Sequence, residues 1–126
     1  MDSLVICSFS RYGLNDGSRL KILEAVTGEH YDADLIARRI FTLERLFNLR
    51  EGFDRAQDTL PWRCLHEPLP EGPAKGNIVD LERMLDEYYP LRKWDRSGRP
   101  TRTCLKELGL EKELEELTQK GFGLSD

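Results

Sequence analysis

Apolar residues recur three and four positions apart along most of this chain and nowhere alternate one by one, which is the pattern of helices packed on helices. From Ser18 to Val26 the apolar positions Leu20, Leu23 and Val26 fall at spacings of three, with Ser18 placed as an N-cap and Gly28 just past the end. The strongest helix is predicted over Ala33 to Arg50, where Asp32 caps the free N–H groups and Gly52 lets the chain leave in a left-handed turn. Its apolar positions Leu35, Ile36, Ile40, Phe41, Leu43, Leu46, Phe47 and Leu49 cover more than one stripe. That breadth predicts a central helix with neighbours on two sides.

From Phe53 to Asn77 the periodicity stops, and prolines stand at positions 61, 68, 70 and 73 with glycines at 72 and 76. Prolines fix local angles and remove donors, so this stretch predicts a long ordered loop with one helical turn, of the kind that is functional or docked on another surface. Helical spacing resumes from Val79 to Tyr89 through Leu81, Met84, Leu85 and Tyr88, until Pro90 interrupts it. Thr101 is placed to cap a helix through Leu108 that Gly109 stops, and Glu111 to Lys120 forms a last, highly charged helix with Leu114 and Leu117 on its apolar edge. The expected fold class is all-α: an irregular multi-helical single domain over residues 1–126, with a long Pro/Gly-containing loop.

Composition narrows the function. A chain of 126 residues has room for one core. With 33% charged residues and a mean hydropathy of -0.56, it has no run that could span a membrane, and its first residues do not show the basic start and apolar stretch expected of a signal peptide. A cytoplasmic protein is expected. A net charge of -4 argues against binding to nucleic acid, which relies on clustered Lys and Arg. Three cysteines cannot close a disulfide framework, so reduced thiols are expected.

Few residues offer chemistry of their own. Cys64 and His66 make one Cys-x-His pair, Cys104 sits on a predicted helix as a core residue, and no second ligand pair accompanies them. No catalytic residue is assigned. Arg50, Asp54, Arg55, Asp58, Arg63, Arg92, Asp95 and Arg96 form a mixed-sign set in the loops. Such a set either locks loops together through Arg–carboxylate pairs or lines a contact with another domain. The aromatic residues Trp62, Tyr88, Tyr89 and Trp94 suit core packing with a polar tip at the surface.

The loop segments Asn48-Leu49-Arg50-Glu51-Gly52-Phe53-Asp54-Arg55, Asp58-Thr59-Leu60-Pro61-Trp62-Arg63 and Trp94-Asp95-Arg96-Ser97-Gly98-Arg99-Pro100-Thr101, with the opening Asp2-Ser3-Leu4-Val5-Ile6-Cys7, carry a family likeness. Over residues 2–110 the chain resembles the C-terminal domain of the tungsten-containing aldehyde ferredoxin oxidoreductases. In that family an Asp-x-x-Gly-Leu-Cys motif touches a pterin and ends on a cysteine that binds a four-iron four-sulfur cluster. The resemblance implies that Asp2 and Ile6 meet the pterin and that Cys7 binds iron, while a small buried thiol is the plain alternative for Cys7. It also implies a tungstopterin and a 4Fe-4S cluster in the intact protein, with neither bound to the isolated chain. Partners would be upstream domains or a partner subunit, and ferredoxin. Val5 stands where the family has Gly, Gln57 where it often has Asp, and Lys93 where it often has Gly. The alternatives are a separately encoded subunit completing an oxidoreductase in trans, and a small helical interaction module without cofactor.

Overall fold

The computed structural model describes Leu4 and residues 6–126. Among these residues are six α-helices: α1 (Asp16–Thr27), α2 (Ala33–Arg50), α3 (Trp62–His66), α4 (Leu81–Leu91), α5 (Arg102–Glu107) and α6 (Glu111–Gln119). Turns of 3-10 helix lie at Ser8–Tyr12 and Arg55–Gln57. Among the described residues no strand forms, and the β pairing is an isolated bridge between Trp94 and Pro100. The fold class is all-α, as the spacing predicts. By compactness the chain divides into two units, Met1–Thr42 and Leu43–Asp126.

In the first unit, α1 begins three residues earlier than predicted. Asn15, rather than Ser18, is its cap: the Asn15 side chain accepts a hydrogen bond from the Ser18 amide at 2.9 Å. Gly28 ends the helix as expected, at a φ of 76°. For α2 the predicted bounds and cap both hold, with Asp32 Oδ1 accepting from the amides of Asp34 (2.9 Å) and Leu35 (3.1 Å).

The core lies in the second unit. Leu46 and Leu49 from α2 pack with Tyr89, Trp94, Cys104, Leu105, Leu108, Leu110, Leu114, Leu117 and Leu124. Not every apolar position of α2 is covered, however. Phe47 is 55% exposed, and in the first unit Phe41 is 52% exposed. Helix α2 thus carries more apolar surface than the core of the second unit covers.

The Phe53–Asn77 loop holds two helical turns instead of one, and its strands of coil are tied by the backbone bonds Val79 N to Cys64 O (3.0 Å) and Leu69 N to Asn77 O (3.1 Å). Pro90 falls inside the last turn of α4, which runs on to Leu91 before stopping. A proline there removes one hydrogen bond near a helix end, where little of the ladder is left to break. Thr101 caps α5 through the Cys104 amide at 3.1 Å.

Candidate functional site

Of the residues singled out at the start of the chain, the structure describes Ile6 and Cys7. Asp2 and Val5 lie outside the described residues. Ile6 is half-buried, and Cys7 is exposed with its thiol free of any disulfide. Cys7 precedes the 3-10 turn Ser8–Tyr12, and its carbonyl accepts a hydrogen bond from the Ser10 amide at 3.0 Å. Cys64 is also free and exposed. Cys104 is the core residue that its helical setting predicts: it is 1% exposed, and its thiol donates to the Arg92 carbonyl at 3.4 Å. Among the described residues no three His, Cys, Asp or Glu side chains gather as a metal cage. Cys7 is thus an exposed thiol that joins no such group among the described residues.

The best-ordered polar constellation lies in the second unit. Arg45 on α2 is buried, and its guanidinium forks onto Asp58, with Nη1 donating to Oδ1 at 2.8 Å and Nη2 to Oδ2 at 2.7 Å. Its Nε donates to the Gly98 carbonyl at 2.7 Å. The Tyr89 hydroxyl on α4 donates to the same Asp58 Oδ2 at 2.5 Å. Burial, reinforced by that bond to a carboxylate, pushes the Tyr89 hydroxyl up to about 12. The Arg45 guanidinium also sits 5.3 Å from the centre of the Trp94 ring, so one cation holds the Asp58 loop, the Gly98 turn and the aromatic pair.

Most of the mixed-sign loop set does similar work. Arg55 pairs with Glu82 at 2.6 Å and with Asp86 at 2.8 Å, and those hydrogen bonds raise its pKa above the usual arginine value. Asp54 caps the Arg55–Gln57 turn, and Asp95 Oδ1 accepts from the amides of Ser97 and Arg99. Arg50 and Arg63 pair with Glu51 and Glu67 near their own positions. A cavity of about 590 Å³ opens beside this network, lined by Asp86, Tyr89, Pro90, Trp94, Asp95 and Arg96 among others. Of the four aromatics, Tyr89 and Trp94 are buried, but Tyr88 is half-exposed and Trp62 is 64% exposed. Trp62 misses the core because it opens the short helix α3, where it stacks on His66 at 4.9 Å.

Known proteins place this architecture. The family described as aldehyde ferredoxin oxidoreductase, domains 2 & 3, matches residues 1–110. The chain belongs to the aldehyde ferredoxin oxidoreductase family. It is 45% identical over 115 residues to the tungsten-containing aldehyde ferredoxin oxidoreductase of Pyrococcus horikoshii, covering 88% of this chain and 19% of that protein. It is 34% identical over 125 residues to a Pyrococcus furiosus protein named aliphatic sulfonate oxidoreductase, WOR-like subunit. Among solved structures, the active site complex BamBC of benzoyl coenzyme A reductase, in complex with 1,5 dienoyl-CoA, is similar at a TM-score of 0.66 and 27% identity. That likeness covers 86% of this chain and 16% of the other. The chain spans about a fifth of the length of the curated relatives it matches.

Two loop residues have visible structural terms. Lys93 adopts a φ of 56°, the left-handed conformation that glycine takes without strain. Gln57 reaches back to complete a capping box, its Oε1 accepting from the Asp54 amide at 2.7 Å. Arg45 is the cation that joins these loops. It sits within the helical run of α2 and bears no mark, in one dimension, of the loops it joins.

Proposed function

We propose that this chain is the C-terminal part of a tungstopterin, iron–sulfur oxidoreductase that acts on aldehydes with ferredoxin as acceptor. Its role there is to help enclose the cofactor, to wall part of the substrate channel and to supply one thiolate to a 4Fe-4S cluster. The observation that carries the reading is a family match over residues 1–110 in a chain one-fifth as long as its relatives, with a free, exposed thiol at Cys7.

In this reading Cys7 holds one iron, and Asp2 accepts hydrogen bonds from pterin N–H groups with Ile6 packed nearby. The cluster supplies one-electron storage and transfer when bound. The chain's own part is positional: the Arg45–Asp58–Tyr89 lock fixes the loops beside the 590 Å³ cavity, which is the wall it offers to a channel. With no acid–base or nucleophilic group assembled among the described residues, the isolated chain is expected to be inactive. The remaining ligands come from upstream domains or from a partner subunit. The first source is favoured by one observation, that the matched segment is 19% of a single longer chain in these relatives.

The test is to isolate the complete gene product or complex that contains this chain and to measure iron, tungsten and the electron paramagnetic resonance (EPR) signal of the reduced cluster. Iron at about four per chain in the wild type, lost with its signal in Cys7→Ala, is the expected result. A complex without iron, or one whose cluster survives Cys7→Ala unchanged, overturns the cluster assignment.

A further inference from the structure

After α6 the chain reverses at Gly121, whose φ of 78° is the left-handed turn that ends a helix, with its amide on the Thr118 carbonyl at 3.1 Å. The residues that follow return to the start of α5. Phe122 packs against the core, and Leu124 is buried in it. The backbone around them is tied by single hydrogen bonds: Arg102 N to Ser125 O at 2.9 Å, Arg102 Nε to Leu124 O at 3.3 Å and Arg99 Nη1 to Gly123 O at 3.3 Å. Ser125 Oγ donates to Asp95 Oδ2 at 3.4 Å. The matched family segment ends at residue 110, so residues 121–126 lie beyond it.

The cavity of about 590 Å³ takes part of its wall from this segment, since Ser125 and Asp126 line it together with Tyr89, Trp94, Asp95 and Thr101. Asp95 joins the two parts of the wall. Its Oδ2 receives Ser125, while its Oδ1 receives the Ser97 and Arg99 amides of the turn that carries Gly98. Beyond these ties the segment has no helix of its own, and most of its side-chain hydrogen bonds are near the long limit for a real one. A stretch with so few buried contacts opens at a small fraction of the free energy that unfolds the core. Gly121 is a pivot able to absorb the backbone change.

We propose that residues 121–126 are a strap that closes this cavity and sets the access of small molecules to Trp94. With Leu124 seated and Ser125 on Asp95, the wall is complete and Trp94 is 9% exposed. When the strap swings out on Gly121, that side of the cavity opens to solvent. The opening stops at the turn, because Asp95 keeps its two backbone amides and Arg45 keeps its hold on Gly98 and Asp58. Neither a cluster at Cys7 nor a substrate channel is needed for this closure.

The experiment labels the complete gene product or complex that contains this chain with hydroxyl radicals and reads oxidation of Trp94 and Trp62 by mass spectrometry of their peptides. Reaction of the buried Cys104 with a thiol reagent reports in parallel on the core. Two variants push in opposite directions: Arg99→Gln/Arg102→Gln removes both guanidinium tethers, and Ser125→Phe adds a ring to the cavity wall. Trp94 is expected to oxidise several-fold faster than wild type in the first and more slowly in the second, with Trp62, already 64% exposed, and Cys104 unchanged in both. Trp94 oxidation that is unchanged in either variant overturns the strap. So does a Cys104 that becomes reactive together with Trp94, since the core has then opened as one body. Should the tether variant fail to fold, Ser125→Phe decides alone, slower oxidation supporting the strap and an equal or faster rate overturning it.

Discussion

Arg45 and Asp58 form a two-pronged ion pair, at 2.8 and 2.7 Å, between a buried guanidinium and a carboxylate that is 27% exposed. Asp58 also receives the Tyr89 hydroxyl, so its loss strands a buried cation and a buried phenol together. Removing one partner of a buried pair costs about 3 kcal/mol, because the remaining charge has no solvent to turn to. Asp58→Ala is expected to lower the free energy of unfolding, read from guanidinium denaturation, by that amount. A loss below about 1 kcal/mol shows the pair to behave as a surface one.

Gly98 is held against the same lock. At its φ of 72°, a Cβ would stand 2.3 Å from Arg45 Nη2 and 3.0 Å from the Tyr89 ring. Gly98→Ala therefore combines left-handed strain of about 1 kcal/mol with displacement of a guanidinium that has no free place to go. Gly52 supplies the control: its φ is 89°, but nothing lies within 4 Å of a Cβ there. Thermal unfolding should rank Gly98→Ala well below Gly52→Ala, and equal losses at the two sites refute the crowding argument.

Lys93 offers a gain instead of a loss. Its φ of 56° costs a side chain about 1 kcal/mol that glycine does not incur, while its ion pair with Glu107 lies at the surface. Lys93→Gly is expected to be neutral to stabilising by up to about 1 kcal/mol, read from the same guanidinium denaturation. A clear destabilisation assigns more to the Glu107 pair than surface pairs ordinarily contribute.

What the sequence could show of this fold depended on distance along the chain. Helix α2 and its Asp32 cap, the Thr101 cap of α5 and the Gly28 stop of α1 are all set by residues within a few positions, and spacing finds them. The Asn15 cap was overshadowed by Ser18, since both are good caps and local sequence does not decide between them. Arg45 to Gly98 spans 53 positions and Arg45 to Asp58 spans 13, so the lock was legible only as loose loop charges. The Cys7 segment was legible only by likeness to a family motif.

Tyr89 predicts a pH dependence in alkali. Its hydroxyl ordinarily ionises near 10 and is pushed up to about 12 in the fold, by burial first and by Asp58 second. The native chain then keeps a proton that the unfolded chain releases, so the contribution is intact below pH 10 and is lost as pH rises from 10 to 12. The loss is on the order of 2 kcal/mol. Tyr89→Phe should be less stable at neutral pH but show a flatter decline across that window. An identical decline in the two proteins dismisses Tyr89 as its source.

The three thiols should divide by exposure. Cys7 and Cys64 are exposed and Cys104 is 1% exposed, held under the core with its sulfur on the Arg92 carbonyl. A thiol reagent needs a thiolate it can reach, so two of the three cysteines should react quickly in the folded chain and the third only on unfolding. Cys7→Ser and Cys64→Ser should each remove one fast equivalent and leave stability nearly unchanged. Cys104→Ser puts a hydroxyl into an apolar site and should cost about 1–2 kcal/mol. The count bears directly on the cluster: a Cys7 that resists the reagent in the isolated folded chain is not a ligand presented outward, whereas a Cys7 that reacts freely there and is protected in the iron-loaded complex has found its metal.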